Sequence, residues 1–196
     1  MKKALFLFTA AALLVLFGTT GSRALTIVFD PVSQDVMAGD PVDVALVISG
    51  LGDYTADSLS TFDLDIVFDP AILGFNSVSY GDPVLGDQLD IWGLGTITTT
   101  TPGAGFVNLY ELSLDLPSDV DAYQAGSFTL ATLSFDTLSP GMSYLDISVN
   151  ALGDAWGDPL TVSTQGGIVN VVPEPATLVL LGGGLAGLGL MRRFCG

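Results

Sequence analysis

The sequence predicts an all-β protein whose body is an antiparallel β-sandwich. Short runs with two-residue alternation recur along the chain, turn clusters separate them at regular intervals, and no convincing amphipathic helix interrupts them. The sharpest run is Phe62-Asp63-Leu64-Asp65-Ile66-Val67-Phe68. Successive side chains leave a strand on opposite faces, so Phe62, Leu64, Ile66 and Phe68 turn inward while Asp63 and Asp65 turn outward. Val42-Asp43-Val44-Ala45-Leu46-Val47-Ile48 alternates in the same way with a strong apolar face. Further runs occupy 26–29, 73–79, 106–114, 128–135, 144–149 and 168–172, divided by Gly-, Pro- and Asp-rich turns at 50–53, 81–87, 102–105, 138–141, 153–159 and 165–167. About nine short strands at this spacing make a sandwich.

Charge is distributed with an extreme bias. The chain holds 21 acidic against 5 basic residues, for a net charge of −16. All the basic residues (Lys2, Lys3, Arg23, Arg192 and Arg193) lie in the two terminal segments, and between Ala24 and Met191 there is no Lys, Arg or His. The carboxylates of the body must therefore be solvated, hydrogen-bonded to backbone N–H groups, or met by metal ions. A polyanionic surface disfavours nucleic acid and anionic polysaccharide as direct partners unless cations bridge them. Cys195 is the only cysteine, so the body has no disulfide.

The terminal segments read as targeting. Met1-Lys2-Lys3 is a positive start, Ala4 to Phe17 an apolar stretch, and Ser22-Arg23-Ala24 a small-residue cleavage site, the pattern of a signal peptide over residues 1–24. An uncleaved anchor is the alternative. At the other end, Val172-Pro173-Glu174-Pro175-Ala176-Thr177-Leu178 leads into an apolar, Gly-rich run that stops at Arg192-Arg193. The two prolines stiffen the spacer. As a helix, the apolar run would reach about 24 Å, a little short of a hydrocarbon core of about 30 Å, so it is a weak transmembrane anchor. Arg192 and Arg193 would stay cytoplasmic, leaving the body outside. The competing reading of the run is a buried core helix.

The Pro173-Glu174-Pro175 motif, the apolar run and the Arg192-Arg193 end resemble the PEP-CTERM sorting signal of Gram-negative bacteria. The resemblance implies export, recognition by an exosortase, temporary membrane attachment through the C-terminal tail, cleavage near the motif, and release to the cell surface of an organism that makes exopolysaccharide and biofilm. On this reading residues 173–196 are the sorting signal, and residues 25–172 form one domain. The ending Phe194-Cys195-Gly196 departs from the usual basic end. Cys195 is either a lipidation site or discarded with the tail.

The body carries a second resemblance. Ala38-Gly39-Asp40-Pro41-Val42-Asp43-Val44, the stretch from Phe62 through Asp69-Pro70 to Phe75, the segment from Gly126 to Phe135, and the segment from Asp154 to Val171 are similar, in that order, to cohesin domains. The resemblance implies a jelly-roll sandwich related to carbohydrate-binding modules. It also implies a role in docking dockerin modules or as a non-catalytic scaffold.

Several side chains are candidates for a site. Asp82, Asp87 and Asp90 sit in one Gly-containing loop and would bring oxygens to Ca²⁺, although their spacing is not that of an EF-hand. Asp115, Asp119 and Asp121 have similar standing at the start of and within the 116–126 loop. Asp63, Asp65 and Asp69 share a strand face, either as a cation or partner platform or as a solvated surface with Asp69 in the Asp-Pro turn. Trp92 and Trp156 would stack on sugar rings or cover a core edge. Trp156 falls in Gly153-Asp154-Ala155-Trp156-Gly157-Asp158 and is expected near a hairpin tip.

Three functional classes follow. The first is an exported, non-catalytic surface or matrix protein with a cohesin-like binding domain. The second is a carbohydrate-binding module for extracellular polysaccharide. The third, a secreted glycan hydrolase, is disfavoured: without His, Cys, Lys or Arg the body has no Ser-His or Cys-His nucleophile system and no cationic transition-state stabiliser. No catalytic residue is assigned. Glu111 is the body's only Glu before the sorting motif, and nothing in the sequence sets an Asp against it for a carboxylate pair.

Overall fold

The computed structural model describes residues 24–174. The expected signal helix and sorting helix, with Pro175, Arg192, Arg193 and Cys195, lie outside the described residues. Among the described residues no helix is long and apolar enough to cross a membrane.

Two sheets face each other. The first, 5-stranded, has the order β10-β1-β3-β8-β5, and the second, 6-stranded, the order β2-β11-β9-β4-β7-β6. The strands are β1 Thr26–Asp30, β2 Ser33–Met37, β3 Pro41–Ser49, β4 Thr61–Val67, β5 Leu73–Tyr80, β6 Thr96–Gly103, β7 Phe106–Ser113, β8 Ser127–Thr137, β9 Gly141–Gly153, β10 Ser163–Gln165 and β11 Gly167–Val172. Neighbours pair antiparallel, as expected, apart from two edge contacts: β10 runs parallel to β1, and β2 runs parallel to β11. The cause is a paired crossing. The chain passes from the first sheet to the second between β1 and β2, and again between β10 and β11, so its first and last strands lie side by side in both sheets. Gly166 sits at the second crossing, where a Cβ would come within 2.7 Å of the Leu145 carbonyl oxygen.

The core lies between the sheets and follows the alternation. Phe62, Leu64 and Ile66 of β4 are fully buried against Val42, Val44, Leu46 and Ile48 of β3, all within one cluster. Phe135 of β8 makes edge-to-face contacts with Phe68 at 5.1 Å and Phe75 at 6.0 Å. A bulge between Phe75 and Ser77 changes which parity of β5 faces inward. It allows Leu73 and Phe75 before it, and Val78 and Tyr80 after it, to pack on the same core.

The expected loop over 116–126 contains a short helix, α1 Pro117–Tyr123, with Pro in its first turn and only Val120 buried. One buried residue gives no helical periodicity to read. The edge strands β2, β6 and β10 were likewise absent from the alternation, because Ser33–Met37, Thr96–Gly103 and Ser163–Gln165 are polar or Thr-rich edges with little to bury.

Candidate functional site

At one end of the sandwich, α1 is flanked by aromatic side chains. Trp156 is 67% exposed near the turn after β9, as its sequence context predicts. Asp154 fixes that turn by accepting hydrogen bonds from the backbone N–H groups of Trp156 and Asp158. The Trp156 indole N–H donates to Asp121 at 2.9 Å, and the other oxygen of Asp121 accepts from the Ser58 hydroxyl at 2.6 Å. Tyr54, Ser118, Asp121 and Trp156 line an open cleft of about 440 Å³. Trp92 is also exposed but does not line that cleft. It packs edge-to-face on Tyr123 at 5.2 Å, so the two tryptophans are not brought into one binding surface.

Below this end, residues 81–95 connect β5 to β6. Gly81, with φ +87°, turns the chain away from β5, and Asp82 and Gly86 exchange backbone hydrogen bonds to close a small turn. Asp82 is committed to that turn. Its carboxylate accepts from the backbone N–H groups of Val84, Leu85 and Thr129 at 2.8–2.9 Å. Burial acts to raise its pKa, but these N–H groups outweigh it and hold the carboxyl below its ordinary value. Asp82→Ala should therefore lower stability at pH 7 by about 1–2 kcal/mol. Urea unfolding at pH 7 and pH 3 checks this, because the wild type should lose the same contribution as pH falls through the Asp82 range and the variant should not.

Asp87 and Asp90 behave differently. Each gives one oxygen to the loop itself, Asp87 to the N–H of Leu89 and Asp90 to the N–H of Gly95, both within 2.9 Å. Their charges both act on Glu111 of β7, which is only 1% exposed. Neither Glu111 carboxylate oxygen makes a well-formed hydrogen bond, although the Thr96 hydroxyl and the Asp87 carboxyl both lie near enough to act on it as partners. One oxygen of buried Asp115 is also unpartnered. Burial first, and then the Asp87 charge, push the Glu111 carboxyl up to about 8, against a smaller opposing effect of the Thr96 hydroxyl. The structure thus sets an Asp beside Glu111 where sequence reasoning found none. A readable signal existed: Val107, Leu109, Glu111 and Ser113 share one parity of β7, which is the buried one. A carboxylate so enclosed is out of reach of a glycan. Among the described residues no three acidic side chains are grouped to hold a metal ion, so the expected trio of Asp82, Asp87 and Asp90 does not converge.

The outer face of the second sheet is the other large feature. Among the described residues, every exposed large hydrophobic side chain within a strand belongs to this sheet: Met37, Val67, Ile97, Phe106, Met142 and Tyr144. Asp63 and Asp65, also on this face, are tied down by the Asn108 side-chain amide at 2.6 and 2.8 Å, and Asn150 donates to Asp63 as well. Asp69 caps its Asp-Pro turn by accepting from the N–H of Ala71. The three aspartates are therefore surface and turn residues rather than a convergent platform.

A profile of the PEP-CTERM protein-sorting motif matches residues 171–193. The chain carries a PEP-CTERM sorting motif on a cohesin-like sandwich. Solved structures with this fold include a non-cellulosomal cohesin from the hyperthermophilic archaeon Archaeoglobus fulgidus, 16% identical, with a TM-score of 0.57 over 76% of this chain and 91% of that one. A type II cohesin from the cellulosome of Acetivibrio cellulolyticus is 20% identical, with a TM-score of 0.55 over 75% and 94%. A type I cohesin–dockerin complex from Clostridium thermocellum, Coh-OlpC with Doc435, gives 13% identity and a TM-score of 0.60 over 80% and 98%. At these identities the likeness concerns the fold. A search of curated proteins finds no match. The sorting motif marks the chain for export and membrane-anchored sorting of the Gram-negative type. Of its core residues, Pro173 and Glu174 follow directly on β11, so the spacer begins where the sandwich ends.

Proposed function

We propose that this chain is a non-catalytic surface protein whose sandwich, over residues 25–172, binds another protein after an exosortase acts near Pro173-Glu174-Pro175. The observation that carries the reading is the uneven division of exposed apolar side chains. The first sheet turns Asp43, Ser77, Ser79 and Asp136 outward, whereas the second turns out Val67, Phe106, Met142 and Tyr144. Val67 and Phe106 are register partners, and Met142 and Tyr144 lie on β9, the other neighbour of β4. Exposed apolar side chains set on adjacent strands among aspartates mark an interaction face with a polar rim. A partner of the dockerin kind fits it, since cohesins of this fold occur in complex with dockerins. The test places a photoreactive residue at Tyr144 in the exported protein. A single protein adduct that Val67→Glu abolishes and Trp156→Ala leaves intact is expected. Labelling that is unchanged by Val67→Glu would refute the assignment.

A second reading has its own observation, the cleft between Tyr54 and Trp156. Two exposed aromatic side chains beside the Asp121 carboxylate and the Ser118 hydroxyl are the kind of surface on which a neutral sugar stacks. Retention on extracellular polysaccharide that Trp156→Ala removes and Val67→Glu does not would favour this reading over protein docking.

A further inference from the structure

We propose that Glu111 and Asp87 hold a divalent cation of the Ca²⁺ class between β7 and the 81–95 loop, with the Thr96 hydroxyl and a water on Asp90 completing its oxygen shell. Four observations meet at this point. Glu111 is 1% exposed and neither of its oxygens makes a well-formed hydrogen bond, although buried polar atoms are almost always paired. The loop lies against the buried face of β7, where the Ser113 hydroxyl donates to the Leu89 carbonyl. Asp87, two residues before Leu89, thus comes beside Glu111, two residues before Ser113, with Asp90 near enough for its charge to act on it. Asp87 and Asp90 each spend one carboxylate oxygen on a backbone N–H, and the Asp87 carboxyl also faces Glu111 as a side-chain partner. Finally, residues 24–174 contain no Lys, Arg or His, so no side chain of the sandwich can neutralise this group.

A buried carboxylate beside a half-buried one, with no counter-ion, is strongly unfavourable. Only a proton or a metal ion can relieve it here. Ca²⁺ takes six to eight oxygens from carboxylates, carbonyls, hydroxyls and water with little demand for fixed angles. Two carboxylates, a hydroxyl and waters therefore suffice, without a third acidic side chain in direct contact. Mg²⁺ requires near-ideal octahedral geometry and suits this mixed set less well. A bound ion would tie the loop to β7 and so hold Trp92 in place. The site differs from the acidic trio in the loop sequence: Asp82 is used elsewhere, and the decisive ligand comes from a strand.

The test uses the full-length chain in detergent, stripped with chelator and titrated with CaCl₂ by calorimetry and with Tb³⁺ by Trp-sensitised luminescence. One saturable ion per chain and a raised melting temperature are expected. Glu111→Gln and Asp87→Asn should each weaken Ca²⁺ affinity by about tenfold or more, while Asp43→Asn, on the outer face of the first sheet, should leave it unchanged. Retained cooperative melting of Glu111→Gln in chelator shows that the loss is not misfolding, and Asp87→Asn carries the test if that variant fails to fold. The absence of saturable binding by the wild type, or equal binding by Asp87→Asn, would overturn the proposal.

Discussion

In the presence of chelator, the melting temperature should fall as pH rises from about 5 to 9, and Glu111→Gln should remove that fall. The Glu111 carboxyl moves from an ordinary 4.5 to about 8 in the folded chain, chiefly because it is buried and secondarily because Asp87 is charged beside it. The folded state thus holds a proton that the unfolded chain releases. Stability is present in full below the unfolded value, declines through the interval above it, and has lost this contribution once pH passes the folded value. Full expression of the shift would cost several kcal/mol, at about 1.4 kcal/mol per unit. A loss of a few kcal/mol corresponds to a fall in melting temperature on the order of 5–10 °C for a domain of this size.

The composition makes this measurement unusually clean. Residues 24–174 contain no His or Cys, the side chains that ordinarily titrate across that range. Raised stability of Glu111→Gln at pH 8, with little change at pH 5, is the signature expected. A wild-type curve that is flat between pH 5 and 9 would show that Glu111 finds a partner or solvent in the folded chain. Ca²⁺ added at pH 8 should restore much of the lost stability if the cation occupies the place of the proton.

Much of the fold was legible because burial in a sandwich writes itself into two-residue alternation. Strands β3, β4 and β7 each bury one parity, and their positions follow from it. By contrast, β8 changes parity at a bulge and buries Phe128 and Leu130 before it and Leu133 and Phe135 after it. The elements that sequence reasoning missed bury almost nothing. Thr96–Gly103 pairs along its whole length with β7 but keeps most of its side chains exposed, so backbone hydrogen bonds rather than side chains define it. The same logic divides the sites. The exposure of Trp156 was readable from the Asp-Gly turn around it, and the inward aim of Glu111 from the parity of β7. The meeting of Asp87 with Glu111 was not, because the path of the 81–95 loop is set by Asp82 and by contacts to distant strands such as Thr129. No local pattern encodes those contacts.

Gln124→Met should destabilise the sandwich by about 3–5 kcal/mol, the cost of leaving several buried polar groups unpaired. Gln124 follows α1 and is 1% exposed. Its side-chain oxygen accepts from the N–H of Leu59 at 2.6 Å, and its amide N–H groups donate to the carbonyls of Leu59 at 2.8 Å and Gln88 at 2.9 Å. The backbone oxygen of the same residue accepts from the N–H of Tyr54. One side chain therefore clamps α1, the segment before β4 and the loop that bears Asp87. Methionine preserves the volume of glutamine, so the loss reports hydrogen bonds rather than a cavity. Urea unfolding gives the magnitude. Hydrogen exchange gives the location: faster exchange should appear at Leu59 and Ala125 while the centres of β3 and β8 keep their protection. A Gln124→Met variant within about 1 kcal/mol of the wild type would mean that the clamp is redundant. The cleft beside Trp156 and the carboxylates around Glu111 would then be held independently. If the clamp is real, occupation of one of these sites should change exchange at the other through Gln88 and Leu59, since both hang on the same amide.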